Sequence, residues 1–125
     1  MVEAKTADIL IFGKRNNLVK ELEIIFIEHS FTVRLVPDLT RMVEFLPNNQ
    51  FKLIVVTDSL NDLMDRDFFG NLKKCFPYAK IIYLFETVTR SIEVNARRAG
   101  VIFLGSYDYF NQFSADILQS AIKLD

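Results

Sequence analysis

The sequence predicts a doubly wound α/β domain, with a parallel sheet covered by helices on both faces. Five short apolar runs of strand length recur along the 125 residues. The segments between them carry apolar residues at helical spacing. The runs are also too continuously apolar to be strands with one wet face. A chain of 125 residues has the length of one domain and can bury a core without disulfides or metals. Half of it is hydrophobic, with twelve Phe and no Trp, far from the composition of disordered chains.

Residues 1–6 are expected to be a flexible N-terminus and residues 7–124 the folded domain. The first strand is "DILIFG" (8–13), followed by a helix with Leu18, Leu22, Ile25 and Phe26 inward, its start capped by Asn16 or Asn17. The second strand is "FTVRLV" (31–36), after which Asp38 caps a helix carrying Met42, Val43 and Phe45. The third, "KLIVVT" (52–57), runs into a polar loop. Asp62, Asp65 and Asp67 read there as first-turn acids of a third helix, which carries Phe68, Phe69, Leu72 and Phe76 and stops at Pro77. "KIIYLF" (80–85) leads to Thr89 as the cap of a helix with Ile92 and Ala96, ended by Gly100. "VIFLG" (101–105) is the last strand, and Ser114 caps a final helix with Phe113, Ile117, Ala121 and Leu124 along one side.

Fifteen basic and sixteen acidic side chains leave a net charge of -1, so no global field draws the chain to nucleic acid or an anionic membrane. No apolar run approaches the roughly 18 residues of a membrane span, and "MVEAKTAD" lacks the order of a secretory signal. The expected setting is the cytoplasm. The single cysteine, Cys75, reads as core packing. His29, the sole histidine, reads as a helix-end residue and not a general base.

In a doubly wound sheet the functional crevice lies beyond the carboxyl ends of the strands, where the winding reverses. The residues there are Gly13, Lys14 and Arg15; Thr57, Asp58 and Ser59; Phe85, Glu86 and Thr87; and Gly105, Ser106 and Tyr107. A protein-bound Mg²⁺ needs converging carboxylates, and the first and third exits offer only Asp58, beside the cation Lys14. "FGKRNN" matches neither the dinucleotide fingerprint nor the phosphate loop. Lys14 and Arg15 read as an anion site near a helix start or as a solvated pair. No catalytic residue, metal or cofactor is expected.

Over residues 7–124 the pattern resembles the receiver (CheY-like) domain of two-component response regulators, best in "ADILIFGKRNNLVKELEIIF", "FKLIVVTDSL", "AKIIYLFE" and "RRAGVIFLGSYDYF". The resemblance implies a flavodoxin-like sheet of five strands in the order 2-1-3-4-5 with five helices. The family's chemical residues do not carry over. Gly13 and Lys14 stand where receivers have an acidic pair for Mg²⁺, and Thr57 stands at the phospho-accepting aspartate. Phe85 falls at the hydroxyl position and Ser106 at the lysine, with one residue fewer allowed in the "AGVIFL" turn; the aromatic Phe103 persists. The resemblance therefore implies a degenerate pseudo-receiver, a non-enzymatic signalling module acting through protein contacts. Lys14 pairs with Asp58 in this reading, for about 0 to 1 kcal/mol. Two alternatives stand: an atypical phospho-acceptor using Asp58, and a flavodoxin-like small-ligand-binding domain. Strand alternation points Asp58 away from the side that Thr57 faces unless a bulge or the turn re-aims it.

Receivers often bind partners through the fourth helix, fifth strand and fifth helix. That face would hold Arg90, Glu93, Arg97, Arg98, Phe103, Tyr107, Tyr109 and Phe110 here, rich in the aromatics and arginines favoured at interfaces. The bland alternative folds Tyr109 and Phe110 over the core. Ile24 and Ile27, on the outer side of the first helix, form a second candidate surface. The expected partner is another protein, an output domain or a second copy, with no nucleic acid and no membrane.

Overall fold

The computed structural model describes residues 8–37, 51–58 and 67–122. Its strands are β1 (Ile9–Phe12), β2 (Val33–Val36), β3 (Leu53–Thr57), β4 (Lys80–Phe85) and β5 (Phe103–Ser106). They form one sheet in the order β2-β1-β3-β4-β5, and each neighbouring pair is parallel. The described helices are α1 (Asn17–Glu28), α2 (Phe68–Cys75), α3 (Arg90–Arg98) and α4 (Tyr107–Ile122). The expected helix at Met42–Phe45 with its cap Asp38, the acids Asp62 and Asp65, and Leu124 lie outside the described residues.

Every residue of β1 and β3 is buried, as strands covered on both sides require, while the outer strands β2 and β5 are only partly so. Successive side chains alternate between two apolar layers. Leu10, Phe12, Ile54, Val56 and Tyr83 pack with Phe69, Leu72 and Ala96 of α2 and α3. Ile9, Ile11, Leu53, Val55 and Leu84 pack with Leu22 and Phe26 of α1 and with Phe110 and Leu118 of α4. The winding therefore reverses between β1 and β3, which puts the crevice at Gly13 and Thr57.

Local sequence explains the helix ends. The Asn16 side chain accepts a 2.9 Å hydrogen bond from the Val19 N–H and caps α1, and Thr89 does the same for Ile92 at 3.3 Å to start α3. α3 closes in a Schellman turn: Gly100, at φ 85°, donates to the Arg97 carbonyl while Val101 donates to that of Ala96. α1 ends in the same pattern, Ser30 donating to Ile27 and Phe31 to Phe26, but with a serine at φ 69°. Phe26 and Phe31, the two ends of that turn, are both buried in one layer.

Three expectations shift. Of the expected inward residues of α1, Leu22 and Phe26 are buried while Leu18 and Ile25 are only partly so, Val19 joins the buried stripe, and Ile24 and Ile27 are exposed as expected. The last helix begins directly after β5 and not at Ser114; it is broken at Phe113, whose φ and ψ are -117° and 25°, so Ser114 follows the break. This early start aims Tyr107 and Phe110, three residues apart, into the core, where they are 3% and 0% exposed, with Phe110 at 5.7 Å from the Phe26 ring. Tyr107 and Phe110 are therefore core residues and not part of a partner surface. Of the pair expected to fold inward or outward together, Tyr109 stays 51% exposed.

A non-glycine residue in the left-handed region costs about 1 kcal/mol or more, a cost glycine does not carry. Ser30→Gly is expected to raise stability by roughly that amount, measured as a shift in the urea midpoint with an unchanged slope.

Candidate functional site

At the reversal point, Thr57 ends β3 on the side shared with Leu53 and Val55. It is fully buried, the one buried polar side chain among the described residues, and its hydroxyl donates to the Phe12 carbonyl of β1 at 3.1 Å. That bond ties the ends of β1 and β3 together. Beside it the Gly13 N–H donates to Val36 of β2 at 3.1 Å, and Lys14 is exposed.

Asp58 lies one residue beyond β3, so the pleat does not dictate its direction, and its side chain reaches across the crevice. One oxygen, Oδ2, accepts from the Glu86 N–H at 2.7 Å and from the Thr87 N–H at 3.3 Å; the other, Oδ1, accepts from the Tyr107 hydroxyl at 3.3 Å. The donors come from the exit of β4 and the first residue of α4. The turn re-aims Asp58, one of the two ways the sequence left open. Burial first, and the Asp58 charge second, hold the Tyr107 hydroxyl's pKa well above its ordinary value of 10.0, so the phenol stays a donor throughout the neutral range.

The other exit residues are engaged elsewhere. Phe85 is half-buried, its ring 5.3 Å from that of Tyr83, and it packs against the α2 and α3 layer. Ser106 turns its hydroxyl to the Tyr109 N–H at 3.1 Å and caps the start of α4. The group that reaches the crevice from this strand end is Tyr107, which the sequence placed among the strand exits and the resemblance placed on a partner surface as well. Its signal was the one-residue freedom in aligning "AGVIFL": moving the register by one puts Tyr107 in place of Ser106.

A divalent ion does not fit this residue set. Its ligands would be carboxylates with room for water. Among the described residues no three His, Cys, Asp or Glu side chains group as a metal site, and the Asp58 oxygens already face N–H and O–H donors.

On the outer edge of the sheet Tyr109 stacks on Phe103 at 5.9 Å and meets Phe113 at 4.7 Å. With Ile102, Lys80 and Asp116 these rings line a shallow groove along β5 and α4. Phe103 lies over Gly105, where an added Cβ would come within 2.6 Å of its Cζ. Arg90 and Arg97 are exposed on α3, and Arg97 pairs with Glu93 at 3.1 Å.

No protein-family model matches the sequence, and no curated protein aligns with it. Solved structures do match. The signal receiver domain of an HD domain-containing protein from Pseudomonas fluorescens Pf-5 superposes with a TM-score of 0.80 at 15% identity, covering 95% of this chain and 96% of that one. The chain has the receiver-domain fold. A CheY-like receiver domain protein from Methanospirillum hungatei JF-1 gives a TM-score of 0.74 at 15% identity over 95% and 98% of the two chains. An atypical orphan response regulator, described as having a phosphorylation-independent regulatory mechanism, gives 0.70 at 17% identity over 94% and 96%. Within that fold, Gly13 and Lys14 directly follow β1, Thr57 ends β3 and Asp58 follows it, all at the carboxyl edge of the sheet.

Because the folded chain holds the Tyr107 proton more tightly than the unfolded chain, the stability this adds is complete below pH 10 and is lost as pH rises beyond it. Wild type is expected to lose stability more steeply than Tyr107→Phe above pH 10, in parallel chemical-denaturation series, since the variant has no phenol at this position to titrate.

Proposed function

We propose that this chain is a pseudo-receiver, a signalling module that works through contact with another protein and not through a phosphoryl group. The observation that carries this reading is the Asp58 carboxylate, clasped by three donors of its own chain while Gly13, Lys14 and Thr57 occupy the positions of the acid pair and the acceptor. Phosphoryl transfer needs a carboxylate oxygen free to attack, and positive charge on the moving oxygens. Here the oxygens point at N–H and O–H groups. Of the two cations that follow β1, Arg15 pairs with Glu23 at 3.0 Å, so Lys14 would have to stand in for a divalent ion and a second lysine together. The phosphorylation-independent mechanism attributed to one of its structural neighbours supports the same reading. Non-enzymatic signalling through a protein partner, an output domain or a second copy follows from it.

The competing reading, Asp58 as an atypical acceptor, draws on its position in the crevice one residue beyond Thr57. Treatment with a small phosphodonor and Mg²⁺ followed by intact-mass analysis separates the two. An unchanged mass is expected. An added phosphoryl group that Asp58→Asn abolishes would establish the acceptor.

The surface this reading favours is the aromatic row Phe103, Tyr109 and Phe113 with Ile102 beside it. It runs from β5, an outer strand with β4 on one side only, onto α4, and an exposed apolar row there invites association. Arg90 and Arg97 on α3 are retained as its charged flank. Tyr109→Ala is expected to weaken self-association in sedimentation runs, or capture of the native partner, by several-fold without moving the thermal midpoint; unchanged association with an unchanged midpoint rejects this surface.

A further inference from the structure

We infer that the Glu86 and Thr87 amides and the Tyr107 hydroxyl form a cradle for a small oxyanion, and that its resident ligand is the chain's own Asp58 carboxylate. The inference rests on the reading of the crevice as one that takes no phosphoryl group, and it names what occupies the crevice instead.

Two consecutive backbone N–H groups converge on a single oxygen, the shorter contact being 2.7 Å, which is the length of a charge-assisted bond. Successive amides turned to one point make an anion-binding concavity. The third donor closes the cradle from the opposite side at 3.3 Å. None of these donors belongs to the strand that carries Asp58. Glu86 and Thr87 leave β4, whose last residue Phe85 is packed against Tyr83, and Tyr107 is 3% exposed in the layer formed by α1 and α4. Tyr107 is thus held by the core, and the two amides directly follow a residue packed against it.

Glu86 and Thr87 are exposed, so the cradle opens to solvent on that side and a small carboxylate in solution has a path to it. In the native chain that ligand competes with a tethered carboxylate at a high effective concentration and is excluded. Removing the side chain frees three aimed donors. Their ligand class is the planar monoanionic carboxylate, of which formate is the smallest member.

The test titrates sodium formate, against sodium chloride at equal ionic strength, into the full chain carrying Asp58→Ala, following the Glu86 and Thr87 amide resonances. A saturable shift of these two amides with formate alone is expected in the variant and none in wild type, with a several-fold weaker response once Tyr107→Phe is added. No saturable response in Asp58→Ala, or an equal response in wild type, overturns the inference. Should Asp58→Ala not fold, Asp58→Asn retains the shape without the charge. Its Glu86 amide proton is then expected to exchange with solvent several-fold faster than in wild type, and an unchanged rate overturns the inference equally. A phosphorylated wild type would sink the pseudo-receiver reading by itself and leaves the formate result to judge the cradle.

Discussion

The crevice is organised by one carboxylate that joins strand ends. A parallel sheet buried on both faces brings its carboxyl ends to one edge, where backbone donors of the connecting loops have no ladder partners. Asp58 answers two such demands at once, the amides after β4, and accepts from the phenol that opens α4 as well, while Thr57 beside it bonds back to β1. The ends of β1, β3 and β4 and the start of α4 are thereby linked through two consecutive residues. Hydrogen bonds to a charged group contribute about 1.5 to 3 kcal/mol each where water is excluded, and less where, as at Glu86 and Thr87, it is not.

This arrangement changes the meaning of the missing chemical residues. A crevice without an acid pair, acceptor or lysine would be a vacancy if nothing replaced them. Here each strand end serves a different purpose. Thr57 braces the sheet, Phe85 packs, Ser106 caps a helix and Tyr107 takes the reach across the crevice. The polar groups left over meet on Asp58. These contacts occupy the polar groups of the strand ends with one another.

Much of this was legible in the sequence. Short, continuously apolar and β-branched runs such as "LIVV" read as strands covered on both sides, and their alternation with segments of helical spacing pointed to a parallel, doubly wound sheet. Asn16, Thr89 and Gly100 announced helix ends because their side chains, or the lack of one, satisfy specific backbone requirements. The aim of Asp58 was not legible, since the two-residue period ends with the strand and the next torsions are set by tertiary contacts. The resemblance also set Tyr107 on a partner surface, for a related reason. An aromatic with a polar tip suits a surface and a core equally, and the decision fell to where α4 begins, which the Ser106 hydroxyl fixes from outside the helical pattern. Ser30 in the left-handed region was likewise invisible, as serine carries no preference for it.

Gly105 bears on how such a chain can vary. The ring of Phe103 borrows the room that a side chain at position 105 would occupy, so the two positions form a single unit of change. A bulkier residue at 105 is compatible only with a smaller or displaced one at 103, and Tyr109 would then lose the ring it rests on. A change at position 105 would thus move the Phe103 ring against Tyr109 in the same step.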